Sequence, residues 1–220
     1  MNAAYEIVVG PLAWIAGAIF VLGCIYRLAS MYYLFQTKDG SSAAYMSAKY
    51  SLRSILHWLN PFGTAGWQAS PYVAVITFIF HICLIVVPVF LLGHAVLLET
   101  FHGITWWPTL SDGVADTLTV VVILCCIFFI VRRATVEKVK YLNSAMDWYV
   151  IFLVLAVFLT GFVAYHQWFD YQFILILHIL AGELMLASLP FTRLSHAFFT
   201  PFARAYIGSE FGKVRRAKDW

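Results

Sequence analysis

Seven histidines, with a few carboxylates, are the side chains of this 220-residue sequence whose type and placement point to chemistry. His81 and His94 lie 13 residues apart in one apolar stretch; His178 lies in another, and His196 follows it 18 residues later, just past that stretch. An ionisable ring inside an apolar segment is expensive to bury and marks function by default. Two segments that each present two imidazoles at two depths supply what a pair of bis-histidine haem irons needs. His57, His102 and His166 fall outside this pattern. Cys24, Cys83, Cys125 and Cys126 all sit in apolar stretches and form neither a CxxC pair nor a CxxCH haem-attachment motif. They read as small hydrophobes that fill packing space.

The elements that must carry these residues follow from composition. Hydrophobic residues make up 62% of the chain and charged ones 11%, against roughly 45–50% and 25% in soluble domains. With 14 basic and 11 acidic side chains and a mean hydropathy of +0.83, the sequence cannot cover a water-soluble globule of this size. It describes an all-α integral membrane protein and excludes a disordered chain, a secreted disulfide scaffold and a nucleic-acid-binding fold. Five segments reach the roughly 20 apolar residues that a bilayer crossing requires: about 7–26, 72–98, 114–131, 148–169 and 171–192. Residues 55–70 are apolar too, but Asn60-Pro61, Gly63 and Gly66 interrupt them. That stretch reads as an interfacial segment with Trp58, Phe62 and Trp67 as anchors. Residues 193–220 form a basic tail of the same single domain, and no basic stretch precedes the first span, so no cleaved signal peptide is expected.

Orientation follows from the basic residues. Arg27, Lys38, Lys49 and Arg53 follow span one; Arg132, Arg133, Lys138 and Lys140 follow span three. Arg193, Arg204, Lys213, Arg215, Arg216 and Lys218 complete the 14 in the tail. Such an asymmetry places the N-terminus outside and the C-terminus in the cytoplasm. Spans two and five then run antiparallel, so the histidines pair as His94 with His178 on the outer side and His81 with His196 on the inner side. Along a helix, 13 and 18 residues cover roughly 20 and 27 Å. On one continuous helix His178 and His196 share a face, whereas His81 and His94 stand roughly 140° apart unless Pro88 kinks the path. Glu183, one turn and a half below His178, is a candidate for proton handling; Glu99, His102 and Asp116 are candidates for a quinone or proton site near the outer pair. Arg193 is placed to meet a haem propionate or a lipid phosphate.

The segment Ile15-Ala-Gly-Ala-Ile-Phe-Val-Leu-Gly-Cys-Ile-Tyr-Arg27, then Phe80-His81-Ile82 with Gly93-His94, Arg132-Arg133 with Asp147, and above all His178 followed by Leu189-Pro190-Phe191-Thr192-Arg193-Leu194-Ser195-His196 resemble the gamma-subunit family of respiratory nitrate reductase. The resemblance runs over about residues 11–205. The longer His81–His94 interval with Pro88 inside it, the absence of lysine from the outer loops and the mid-span Glu183 make the chain more similar to the b-type subunits of transmembrane redox complexes of sulfate-reducing bacteria. That resemblance implies a five-span dihaem cytochrome b with two non-covalent haems b. It would carry electrons between menaquinol or a periplasmic multihaem cytochrome c and a cytoplasmic iron–sulfur subunit, with further membrane subunits as partners. Two other classes compete with it on residues alone. One is a haem-free anchor that docks a soluble enzyme; the other is a small transporter with a Glu183–histidine proton relay, which the lack of internal repeats disfavours.

Overall fold

A computed structural model describes residues 3–217, apart from the side chains of residues 42, 43, 101 and 102; Lys218 and the side chain of His102 therefore lie outside the described residues. The described chain is all-helical. It divides into two compact units, Ile76–Met185 with the N-terminal residues up to Pro11, and Leu12–Val75 with the residues from Leu186 onward.

Five helices are long and apolar enough to cross a membrane: Ala3–Asp39, Pro71–Phe90, Asp112–Thr135, Ala145–Tyr165 and Tyr171–Ser188. The first consists of α1 (Ala3–Ile7), a π-helical turn at Val8–Leu12 containing Pro11, and α2 (Ala13–Asp39). Its outward residues are large and apolar, with Trp14 80% and Leu22 66% exposed. Water does not tolerate an apolar surface of that extent, whereas lipid does, so this is a multi-pass membrane protein.

In the first unit, the matched surfaces of α7 (Asp112–Thr135) and α9 (Ala145–Tyr165) form the core. On α7 the buried residues Ala115, Thr119, Val122 and Cys126 recur at spacings of four, three and four; Asp147, Ile151, Val154 and Phe158 do the same on α9. Those spacings put each set on one helical face. Small residues on α7 let the backbones approach, the usual device where lipid removes the hydrophobic drive between helices. Free Cys125 and Cys126 are buried in this core, as is Cys83 on α5 (Pro71–Phe90).

The turn between α7 and α9, which includes the short α8 (Glu137–Leu142), closes on a polar clamp. Asp147, 4% exposed, accepts from the Ser144 backbone N–H at 2.9 Å and hydroxyl at 2.8 Å, and pairs with Arg133 at 3.3 Å. The same guanidinium donates to Asn143 Oδ1 at 2.8 Å, while the Asn143 amide returns a bond to the Arg133 carbonyl at 3.1 Å. Asp147 thus sits near the positive end of α9, with its buried charge neutralised by Arg133.

In the second unit, α3 (Ala48–Leu59) packs on α11 (His196–Ile207) and its π-helical extension Gly208–Val214. The seam is built from small residues. Ser47 N–H donates to Ser209 Oγ at 3.0 Å, and Ser51 Oγ donates to the Ala205 carbonyl at 3.0 Å. A Cβ at Gly208 would come within 2.5 Å of the Tyr50 carbonyl oxygen and 2.6 Å of Ser54 Cβ. Tyr206 ties the same helix to Asp39 at 2.6 Å. The apolar stretch at 55–70 is therefore the latter part of a helix that begins at Ala48, a turn at Asn60-Pro61, and a single helical turn, α4 (Ala65–Gln68). The helical pattern starts earlier because serines, which a hydropathy reading discounts, form its buried side.

Span five also ends earlier than the apolar run. Helix α10 (Tyr171–Ser188) stops before Leu189-Pro190, a turn follows, and His196 opens α11 after a 3-10 turn at Arg193–Ser195. Proline lacks the N–H that would continue the ladder. The shared face expected for His178 and His196 presumed one continuous helix, and that helix does not exist. In the same way α9 ends at Tyr165 and not at 169, because Gln167 (φ 53°) and Phe169 (φ 62°) take left-handed backbone.

Arg133→Ala would leave Asp147 buried without its cation and should lower stability by about 3 kcal/mol, read as thermal unfolding in detergent. A change below about 0.5 kcal/mol would mean that the pair does not hold the turn.

Candidate functional site

The element that carries His81 and His94 is not one helix. Helix α5 ends at Phe90, Leu91 is extended (φ −69°, ψ 133°), and α6 (Leu92–His102) resumes. The interruption falls three residues past Pro88. It frees three carbonyls, those of Pro88, Val89 and Phe90, which in apolar surroundings must find other donors. Each does. His94 Nδ1 bonds the Pro88 carbonyl at 2.7 Å, Trp107 Nε1 the Val89 carbonyl at 2.7 Å, and the Leu110 N–H the Phe90 carbonyl at 2.8 Å. The angle of an ideal helix between His81 and His94 therefore does not apply, and the break itself sets the direction of the His94 ring.

His178, on α10, reaches across to α9. Its Nδ1 bonds the Val157 carbonyl at 3.0 Å, with Thr160 Oγ1 at 3.4 Å. Gly161 makes this approach feasible, since a Cβ there would come within 2.8 Å of His178 Cε1 and 3.1 Å of Nδ1. His81 Nδ1 bonds the Thr77 carbonyl at 2.7 Å, and His196 Nδ1 bonds the Arg193 carbonyl at 2.6 Å. A carbonyl oxygen only accepts, so in all four residues Nδ1 carries the proton and Nε2 carries the lone pair. Metal-ligating histidines use the same tautomer, with the other ring nitrogen held by a backbone acceptor.

His94 and His178 come together within the first unit. Their ring centres are 6.2 Å apart and their planes lie within 7° of parallel. This is about 2 Å beyond face-to-face contact. Two metal–nitrogen bonds of roughly 2 Å, plus roughly 1.1 Å from each nitrogen to its ring centre, span about 6 Å. The pair therefore fits a single metal held from opposite sides, and the cradle at Gly161 is one that any side chain would fill. Among the described residues no three His, Cys, Asp or Glu converge. His81 belongs to the first unit and His196 to the second, so each is described by its own surroundings.

The remaining candidates separate. Arg193 is exposed and serves His196 through its carbonyl. Glu183 lies on α10 with both carboxyl oxygens shielded and, among the described residues, without a hydrogen-bond partner. Glu99 is exposed on α6. Asp116 pairs with His166 at 3.1 Å. The histidine positions are legible from sequence. Gly161 is legible only as one small residue among several, and the Val157 carbonyl and the break at Leu91 leave no distinct trace.

Gly161→Val should push the His178 ring off the Val157 carbonyl without unfolding the chain, seen as a changed His178 imidazole nitrogen resonance with helicity retained by circular dichroism. An unchanged resonance would show that the glycine does not govern the ring.

No protein-family model matches the chain, and no solved structure matches it. It is similar to a curated protein of Nitratidesulfovibrio vulgaris strain Hildenborough, 35% identical over 222 residues that cover 96% of this chain and 95% of the relative, whose name is given simply as "Protein". Identity at that level over nearly the whole of both sequences shows common descent: the chain belongs to the same family as this Nitratidesulfovibrio vulgaris protein.

Proposed function

We propose that the chain is a dihaem cytochrome b subunit of a membrane redox complex. The observation that carries the reading is the His94–His178 pair, parallel within 7° at 6.2 Å, with both Nδ1 atoms bound to backbone carbonyls. The order of the spans assigns His81 and His196 to a second haem. When bound, a haem supplies one-electron transfer, and the protein's part is ligation, burial and orientation.

In this reading His94 and His178 hold the outer group. The Pro88 and Val157 carbonyls fix the ring directions and make the imidazoles better ligands. Gly161 keeps the α9 side open for the ring, and the α7–α9 core excludes water behind it. The positive-inside asymmetry places the C-terminal tail and the loop of α3 in the cytoplasm, where an iron–sulfur subunit would dock. The loops that lack lysine and arginine then face a periplasmic multihaem cytochrome c or, at the lipid boundary, menaquinol. The membrane in question is the bacterial cytoplasmic membrane. Arg193, on the cytoplasmic side, is assigned to a propionate of the inner haem.

The reduced-minus-oxidised visible spectrum of the purified chain checks this directly. A b-type α band is expected. His94→Ala and His178→Ala should each remove one and the same haem, and His81→Ala and His196→Ala the other. Absence of the band would leave a haem-free anchor as the better reading, and loss of the same haem from all four variants would overturn the pairing.

A further inference from the structure

His196 is reached through a turn, and local bonds give that turn its shape. The Phe191 and Thr192 N–H groups both donate to the Ser188 carbonyl at 3.1 Å; Leu194 N–H donates to Thr192 Oγ1 at 3.2 Å, and Ser195 N–H to the Thr192 carbonyl at 3.1 Å. Bonds that close over so few residues leave the place of the segment against other helices undetermined. His196 Nδ1 bonds the Arg193 carbonyl at 2.6 Å, so the ring moves with the turn as one piece.

Within the second unit, α2 supplies the missing reference. Gly23 is buried on that helix, and a Cβ there would come within 2.5 Å of Pro190 Cγ and 2.7 Å of Phe191 Cζ, against a carbon–carbon optimum of about 3.5–4.0 Å. The absent side chain is a notch that the proline fills. Pro190 is less than 2% exposed, and its closed ring cannot swing aside; the Phe191 ring is 56% exposed and can. Phe20 and Arg27 flank Gly23 on the same helical face. The rings of Phe20 and Phe198 are 5.8 Å apart, and the Arg27 guanidinium stands 5.8 Å from the ring centre of buried Phe199. Three points along α2 therefore meet the chain before and after His196. The two ring contacts tolerate sliding, since such pairs remain favourable over separations of roughly 4.5–7 Å. The notch does not, because its limit is steric.

We propose that Gly23 is the positioning residue for His196: the Pro190 ring seated against Gly23 fixes the turn on α2, and the turn carries the imidazole to its place. This deepens the reading above, in which His196 is a ligand of the second haem. It rests on that reading for the use made of His196, but not for the placement.

The test uses the full chain purified in detergent, with Cys24→Ala to leave that thiol out of the labelling. Nitroxide labels on Tyr26→Cys and Ala197→Cys, both exposed positions, report the distance from α2 to α11 by pulsed electron resonance. Haem content and midpoint potentials are read on unlabelled samples of the same variants. Gly23→Val should lengthen the distance and remove the one haem that His196→Ala removes, with the other retained. Gly23→Ala adds the Cβ alone; it should lengthen the distance less, keep both haems and shift the potential of that same one, and it carries the test if the valine variant does not fold. Gly17→Val is the control for a β-branched residue in this helix, because among the described residues nothing lies within 4 Å of a Cβ there; it should leave distance, haems and potentials unchanged. An unchanged distance in both Gly23 variants would overturn the proposal. So would a changed distance with both haems and both potentials intact, or a Gly17→Val variant that behaves like Gly23→Val. A parent chain without a b-type band defeats the cytochrome reading, and the label distance then still decides whether Gly23 places His196.

Discussion

A backbone that stops being helical in an apolar medium must find a new donor for every carbonyl it releases, and at Leu91 three are released together. The Pro88, Val89 and Phe90 carbonyls are recovered by His94, by the Trp107 indole and by the Leu110 N–H. Much of the candidate site depends on this. The bond to Pro88 sets the ring of His94 and its tautomer, and the other two bonds draw the 103–111 loop back over the end of α5, where the Trp107 ring lies 6.3 Å from that of Phe90. An interruption that would be a defect in a simple span becomes the means of aiming a side chain.

The His178 ring is aimed by a different device. His178 has no break of its own, so the helix facing it provides both the space and the acceptor. Gly161 removes the one side chain that would block the ring, and the Val157 carbonyl, one turn earlier, accepts its proton. The precision of that approach depends on α9 being held firmly. The stepped faces of α7 and α9 and the Arg133–Asp147 clamp at their turn supply that rigidity. Rigid helices with backbone acceptors behind their side chains hold ring directions that a loose segment would let drift.

Aspartates, unlike histidines, gain their meaning here only from position. Asp147 is almost fully buried and is neutralised by Arg133; Asp116 faces a cavity and has a histidine at its back. Both lie near the N-terminal ends of apolar helices, and nothing in their immediate sequence separates the clamp at a turn from the residue at a cavity.

Composition and the length of the apolar runs determine that this chain is helical, with five helices long and apolar enough to cross a membrane. The sequence by itself also determines which imidazoles sit at membrane depth, since type and position within an apolar run are local properties. It does not determine where the helices break. Pro88 suggested a kink at its own position and the interruption came at Leu91; span five looked unbroken to Thr192 and stops at Ser188; the helix of the interfacial segment begins at Ala48, with serines on its buried side. Only the tertiary structure decided that His94 and His178 face each other, that Gly161 must be a glycine, and that Asp116 meets His166. Those are relations between residues on different helices, and they depend on distances that the order of residues along the chain does not encode.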